Sequence, residues 1–189
     1  MKLKVAAFLL ITVLTGVYLY IPAKTESKPY KKIQWVELMP KEDADALYNP
    51  PQVLLDIPEE IESKIAKGVL ESLIMSKDSK YQEALSSKKV MEEFNNQDIQ
   101  IPGFVVPVEI NEAGKTTGFF IVPYFGACLH YPPPPPNQTI YAQYSEGFDI
   151  REMYRPFIYK GTITITNKKH KIAESAYNLK IDSIDIFDE

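Results

Sequence analysis

The chain has 189 residues, of which 45% are hydrophobic and 24% are charged, a composition typical of a folded globular body with an apolar core. Its single cysteine excludes an intramolecular disulfide framework, so the fold must be stabilised by its core alone. The formal net charge is −4 and no basic patch stands out, so nucleic acid is not expected as a partner.

The N-terminal segment, residues 1–23, has the pattern of a membrane anchor or a signal peptide. Lys2 and Lys4 precede the run Val5 to Ala23, whose 19 uncharged residues would just span a bilayer as a helix. Ile21-Pro22-Ala23 is a poor match to a cleavage site, so an uncleaved anchor is preferred over a cleaved signal. Both alternatives predict that the body is exported, and that it is anchored to the membrane that it crosses or released after cleavage.

Residues 24–56 are predicted to be a spacer followed by a docking segment. Lys24 to Lys32 is polar and is expected to be a mobile connection between the membrane and the body. Trp35 to Pro40 is a short apolar stretch, and its tryptophan is expected to pack on the folded domain.

Residues 57–97 are predicted to be helical. Apolar residues recur every four positions from Ile61 to Leu73, and Asp56 is a suitable N-cap, which together indicate an amphipathic helix from Ile57 to about Ser76. Such a helix either covers a sheet or docks on a partner protein, and the first interpretation is preferred. A second, weaker helical pattern runs from Ser79 to Gln97.

Residues 98–189 carry strand patterns and are predicted to form a β-domain. Ile99 to Ile110 is apolar on both faces but contains two prolines, which indicates an irregular or edge strand. Glu112 to Lys115 is a hairpin turn into a strand at Gly118 to Phe125, and Thr139 to Tyr144 is the third strand.

The two remaining strands show the clearest alternation. From Phe157 to Thr166, apolar residues alternate with lysine and threonine, and Gly161 falls on the apolar side, where it predicts a sharp bend. In the last strand, Ala176 to Phe187, the apolar parity reverses after Ile181, which predicts a β-bulge near Asp182-Ser183.

These elements predict a mainly β fold of the α+β class. The spacing of five short strands and the glycines at bend positions favour a small five-stranded OB-like barrel preceded by a covering amphipathic helix. The alternative is an open five-stranded antiparallel sheet covered by the same helix. Neither architecture predicts a function by itself.

Cys128 and His130 are the candidate metal ligands. Two residues apart on an extended chain, they would project from one face, and a thiolate with an imidazole favours zinc or copper(I) over magnesium or calcium. Zinc is therefore the candidate cofactor, with Cys128, His130 and His170 as candidate ligands; Glu109 and Asp149 are further candidates, and the spacing does not choose among these additional ligands. The preferred interpretation is nevertheless a buried cysteine beside a histidine bonded to the backbone, because a metal site of this kind needs three or four ligands.

The stretch from Tyr124 to Gln138 is the candidate partner-binding region. Its five prolines predict a polyproline II segment. If exposed, this segment would offer a ligand for an aromatic groove, and if laid against the neighbouring tyrosines it would be a rigid strap; the strap is preferred. The candidate partner-binding residues are Tyr124, Phe125, Tyr131, Pro132, Pro133, Pro134, Pro135, Pro136, Asn137 and Gln138.

Three motifs together resemble a family of bacterial envelope proteins known as domain of unknown function 3299. They are Ile101-Pro102-Gly103-Phe104-Val105-Val106-Pro107-Val108-Glu109, then Phe120 to His130, then Pro132 to Gln138, and the resemblance extends over about Trp35 to Phe187. It implies an exported protein without established enzymatic activity. Members of this family often occur beside envelope transporter components, some of them zinc-responsive.

The expected function is that of an exported, non-enzymatic accessory or adaptor protein of an envelope transport system. Envelope transporter components are the expected partners, together with the membrane through the N-terminal segment. The alternative is a periplasmic zinc-binding protein that uses Cys128 and His130.

Overall fold

A closed β-barrel forms the body of the protein. The computed structural model describes residues 28–49, 79–127, 133–149 and 154–187. In these ranges one sheet contains six strands, namely β1 (Lys31–Lys32), β2 (Gln97–Ile110), β3 (Thr116–Val122), β4 (Ile140–Phe148), β5 (Phe157–Lys169) and β6 (Glu174–Ile186). The order is β1-β2-β3-β4-β6-β5, and the additional pairing of β2 with β5 closes the last five strands. The predicted OB-like barrel is confirmed, and the sheet is not the open alternative.

Short helices accompany the barrel: α1 (Lys41–Tyr48), α2 (Ser79–Leu85), and 3-10 turns at Trp35–Leu38, Glu92–Phe94 and Pro136–Gln138. The second predicted helix is shorter than expected: Ser86 Oγ bonds to the carbonyls of Gln82 and Glu83 just past its end, a local bond that competes with continued helix. Helix α1 was not predicted, and the predicted covering helix from Ile57 to about Ser76 lies outside the described residues.

Strand β2 is irregular, as its prolines indicated, but it is not an edge strand. Its first half, Gln97 to Gly103, pairs with β5, and its second half, Phe104 to Ile110, pairs with β3. The strand therefore curls between β5 and β3, and its register shifts after Pro107. Gly103 lies at the changeover, where a Cβ would approach Ile121 Cγ2 to 2.7 Å.

Strands β5 and β6 confirm the two irregularities predicted from the sequence. Lys160 pairs with Ser183 and Gly161 pairs with Ile181, so Asp182 is the extra residue of a bulge. Opposite the bulge the strands approach so closely that a Cβ on Gly161 would lie 2.1 Å from the Lys180 carbonyl oxygen. The predicted burial alternation along β5 is also present.

The barrel interior is rich in aromatic rings. The Phe119 ring lies 5.1 Å from Phe148 and 5.8 Å from Tyr159, and Phe157 contacts both of these partners. Tyr159 is fully buried, and its hydroxyl has no hydrogen-bond partner in the described part of the chain. Burial therefore raises the pKa of Tyr159 well above its ordinary value, and the residue acts as a large core side chain.

The chain from Lys28 to Lys32 is fixed on the barrel, contrary to the expected mobile spacer. Strand β1 pairs in parallel with Ile99 and Gln100 of β2. Lys28 Nζ lies 2.7 Å from Asp98 Oδ1 and 2.8 Å from Asp182 Oδ2. The hydrogen bond from Lys28 is the main cause that lowers the pKa of each aspartate. A sequence pattern reports local periodicity and cannot show a pairing across such separations.

The predicted docking segment is confirmed. Trp35 Nε1 donates a hydrogen bond of 2.7 Å to the Pro102 carbonyl oxygen. Leu38 is fully buried in the main core, and Met39 is also buried. These contacts join the chain before α1 to the curled strand β2.

Candidate functional site

Two of the three candidate metal ligands lie outside the described residues. Cys128 and His130 belong to the gap that follows Ala127. His170 is exposed in the β5–β6 hairpin, with its ring 6.2 Å from that of Phe120, and its Nδ1 accepts a 3.5 Å hydrogen bond from the Ile172 amide. Among described residues, no group of three or more His, Cys, Asp and Glu side chains is arranged to hold a metal. Zinc binding at Cys128 and His130 remains a prediction.

The second half of the proline segment is a strap, as predicted. Pro133 is exposed, Pro135 is buried, and the chain then enters the 3-10 turn Pro136–Gln138. Asn137 and Gln138, predicted to face a partner, are instead buried. The sequence could not show that Asn137 and Gln138 are buried while Pro133 is exposed, because polar residues and prolines are both common on protein surfaces.

Asn137 and Gln138 attach the strap to the body through side-chain hydrogen bonds. Asn137 Nδ2 donates to Asp43 Oδ2 at 3.0 Å and to the Lys89 carbonyl oxygen at 3.1 Å. Gln138 Nε2 donates to the Trp35 carbonyl oxygen at 2.7 Å. The strap thus connects the segments that carry α1, α2 and the docking turn. Tyr131 and Pro132 lie outside the described residues.

The turn that follows β3 presents two aromatic side chains to solvent. Tyr124 is 46% exposed and Phe125 is 53% exposed. Phe125 is supported by Phe104 of β2, with ring centroids 6.1 Å apart, and Gly126 takes a positive φ of 75°. Ala127 is fully buried, which fixes the far side of the turn. We call residues 123–127 the aromatic turn.

The outer face of β3 and β4, which OB barrels commonly use for binding, is closed by the protein's own side chains. Phe120 and Tyr141 form a cross-strand pair with rings 5.5 Å apart, and both are buried. Tyr141 Oη donates to Glu109 Oε1 at 3.0 Å, and Lys168 Nζ lies 4.8 Å from the Tyr141 ring. Burial, followed by the bond to Glu109, raises the pKa of Tyr141 to about 12.

This closed face was not predicted, although the sequence contained a signal for it. The run Phe119 to Val122 is apolar at every position, and all four residues are fully buried. An uninterrupted apolar run indicates a strand covered on both faces. The covering side chains come from distant parts of the chain, so their identity could not be inferred.

A cleft of about 510 Å³ lies between α1 and α2. Asp43 is 4% exposed, and Lys89 Nζ lies 3.6 Å from its Oδ1 and 3.4 Å from Glu42 Oε1. The charge of Asp43 is the main cause that raises the pKa of Lys89, whereas the pKa of Glu42 is lowered first by a backbone hydrogen bond. Lys89 thus offsets the acidic charge of the cleft. We assign no ligand to this cleft.

Comparisons with known proteins support the resemblance. The profile of the family described as "Protein of unknown function (DUF3299)" matches residues 35–186. A crystal structure of a DUF3299 family protein from Pseudomonas aeruginosa PAO1 is similar, with 27% sequence identity and a TM-score of 0.61; the match covers 86% of this chain and 99% of that chain. A comparison with curated proteins found no match. The chain is therefore a member of the DUF3299 family.

Proposed function

We propose that this protein is an exported, non-enzymatic accessory or adaptor of an envelope transport system, located at the outer side of the bacterial inner membrane. The uncharged run Val5 to Ala23 behind two lysines supports export. That run lies outside the described residues, and within the described ranges no helix is long and apolar enough to cross a membrane. The envelope setting implied by the family resemblance supports the association with transport.

The observation that carries the adaptor role is the aromatic turn. Exposed aromatic residues are favoured anchors of protein interfaces because each buries a large apolar area with little loss of side-chain entropy. Phe125 is held by Phe104, so part of this entropy is already lost in the free protein. The buried strap residue Pro135 and the fully buried Ala127 bracket the same connection between β3 and β4. The result is an exposed anchor on a fixed support.

The closed outer face of β3 and β4 supports a protein partner rather than a nucleic acid. A single-stranded nucleic acid would require exposed aromatic rings on which bases can stack, within a basic groove. Phe120 and Tyr141 are buried under Lys168 and His170, so their faces are already occupied. The exposed rings of the aromatic turn lie past the end of β3.

Site-specific photo-crosslinking in living cells tests the adaptor role. A photoreactive amino acid replaces Phe125, and the same amino acid replaces Tyr48 of α1, which is 61% exposed, as the matched control. We expect Phe125 to capture a discrete envelope transporter component that the control does not capture. Equal capture at both positions, or capture of cytoplasmic proteins only, would contradict the proposal.

Export has its own test. A reporter that is active only in the periplasm is fused after Glu189, and a reporter active only in the cytoplasm is fused at the same position. We expect activity from the first fusion alone, whereas activity from the second alone would exclude export. The mass of the mature chain then distinguishes an anchor from a cleaved signal at Ala23.

The second candidate function is zinc binding in the periplasm through Cys128 and His130. The exposed His170, whose ring lies 6.2 Å from that of Phe120 in β3, is the described candidate for a third ligand. The zinc content of the purified chain is measured beside the variants Cys128→Ser, His130→Ala and His170→Ala. Near-stoichiometric zinc that the first two substitutions abolish supports this function, and a folded, zinc-free wild type refutes it.

A further inference from the structure

The tip of the β5–β6 hairpin is a basic cluster that the composition of the chain conceals. Residues 166–172 are all exposed, and they include Lys168, Lys169, Lys171 and an Ile172 that is 47% exposed. Lys168 lies against the Tyr141 ring, whereas Lys169 and Lys171 form no salt bridge within the described part of the chain. Glu174 lies opposite Lys169 in the strand pairing and pairs with Lys88 at 2.6 Å; the bond from Lys88 is the main cause that lowers the pKa of Glu174, and the charge of Lys169 contributes.

The charge at this tip contrasts with the rest of the protein. The chain carries 21 basic and 25 acidic residues, and removal of Lys2 and Lys4 leaves a body of net charge −6. Without the three lysines of the tip, the remainder of the body has a net charge of −9. An anionic surface would therefore attract this hairpin, whereas the remainder of the body carries a net negative charge.

The strand directions place the tip at the end of the barrel at which β2 begins. Strand β1 pairs in parallel with the first part of β2, and the residues before it reach across to β6, since Lys28 Nζ and Tyr30 Oη both bond to Asp182. Strand β5 is antiparallel to β2, and its pairing with β2 ends where Gln97 meets Ile163. Past Ile163, β5 continues beyond the beginning of β2 and forms the hairpin.

The lengths of two segments are relevant to a membrane contact. The Lys28 ammonium lies beside Thr162, to whose Oγ1 its Nζ donates at 3.4 Å. From Thr162, β5 extends to Lys169 over about 23 Å at about 3.3 Å per residue. The chain from Lys28 back to Ala23 spans at most about 18 Å. For a chain that runs towards the same end of the barrel before Lys28, the hairpin is long enough to reach the bilayer surface at which the predicted anchor ends.

We propose that the tip of the β5–β6 hairpin, from Lys168 to Ile172, binds the headgroups of anionic phospholipids on the bilayer that holds the N-terminal segment. Lys169 and Lys171 contact lipid phosphates, and Ile172 enters the interface between headgroups and acyl chains. This inference rests on the proposed membrane location. It adds a second contact that fixes the orientation of the barrel on the membrane.

The test uses the full chain reconstituted in lipid nanodiscs. One set contains phosphatidylcholine only, and the other also contains phosphatidylglycerol. Hydrogen exchange is measured for the hairpin amides from Lys168 to Ala173 and for the β2–β3 turn at the opposite end of β2. We expect slower exchange of the hairpin in the anionic discs only, reversed by high salt, and no change in the turn.

Substitutions at the tip define the chemistry. Because each lysine near an anionic surface contributes about 1 kcal/mol, the double variant K169Q/K171Q should weaken the contact about thirtyfold and return the hairpin exchange to its value in neutral discs. Lys115→Gln, in the β2–β3 turn, is the matched control and should leave the exchange unchanged. In the Ile172→Trp variant, brominated lipids should quench the new tryptophan in anionic discs.

Hairpin exchange that is equal in both lipids, with the protein retained in the discs, would overturn this inference and leave the proposed location intact. Protection that survives in K169Q/K171Q would likewise overturn it. A cytoplasmic result from the Glu189 fusions would instead reject the proposed location, whatever the nanodiscs show. Lysine-dependent protection only after an envelope protein is added would assign the tip to an acidic protein partner and overturn the lipid contact.

Discussion

A single added methyl group at Gly161 should destabilise the barrel strongly. In Gly161→Ala, the new Cβ would lie 2.1 Å from the Lys180 carbonyl oxygen, whereas ordinary contacts begin at 3.4 Å. The deficit of about 1.3 Å falls on backbone, which cannot move aside as the end of a flexible side chain can. Strands β5 and β6 would have to separate at the bulge, where they help to close the barrel.

The cost should lie at the upper end of the range for overpacked cores, about 3 kcal/mol. The comparison variant is Gly114→Ala, in the β2–β3 turn, where a Cβ meets no atom within 4 Å. Because Gly114 has a φ of 76°, that variant should still lose about 1 kcal/mol to backbone strain. The predicted difference between the two variants is therefore about 2 kcal/mol.

Urea unfolding of the purified chain from Lys24 onward, followed by far-ultraviolet circular dichroism, measures this difference. For a domain of this size the slope is about 2 kcal/mol per molar urea, so the midpoint of Gly161→Ala should fall by about 1.5 M. A Gly161→Ala variant no less stable than Gly114→Ala would show that the two strands are not in close contact at the bulge.

Three further predictions concern the core, the N-terminal contact and the strap. Ile163→Asp should lower the free energy of unfolding by at least about 4 kcal/mol, because it buries an unpaired charge in the barrel. Thr164→Asp, on the other face of β5, should cost less than about 1 kcal/mol, and equal unfolding midpoints would contradict the burial alternation along this strand. In Lys28→Ala, Asp98 and Asp182 lose the partner that lowers their pKa. The variant should therefore be less stable than the wild type at pH 7, and this difference should disappear as the pH falls below 3.8, the ordinary pKa of an aspartate. A difference in stability that persists in acid would exclude this ion pair as the cause. Asn137→Ala should lower the free energy of unfolding by about 2 kcal/mol, since it leaves buried polar groups without partners. Thermal unfolding beside Ser145→Ala, a control at an exposed position, measures this, and equal melting temperatures would contradict it.

Much of the β-domain could be predicted because its signals are local. The alternation along β5 reports which face each residue takes, and a reversal of parity in β6 requires an extra residue, which is Asp182. The turn between β2 and β3 was likewise visible in the glycine-containing sequence at Glu112 to Lys115. These features depend on neighbours within a few positions of each other.

The remaining features depend on pairings between distant segments. Pro102 and Pro107 indicated an edge strand, but a strand that curls between two neighbours tolerates missing donors where its partner changes or its register shifts. Lys28 was read as part of a polar spacer because its partner Asp182 is 154 positions away. The exposed aromatic turn was part of the predicted partner region. The buried strap could be distinguished from that region only in the structure, which shows the hydrogen bond from Asn137 to the distant Asp43.

The position of β6 has a consequence for how the chain folds as it is made. This strand is the last in sequence, yet it lies inside the sheet, between β4 and β5. Until residues 174–186 have been synthesised, β4 and β5 each have an unpaired edge, and the barrel cannot close. The contact between Lys28 and Asp182 must also wait for this strand. The nascent chain therefore stays open until synthesis of the domain is almost complete.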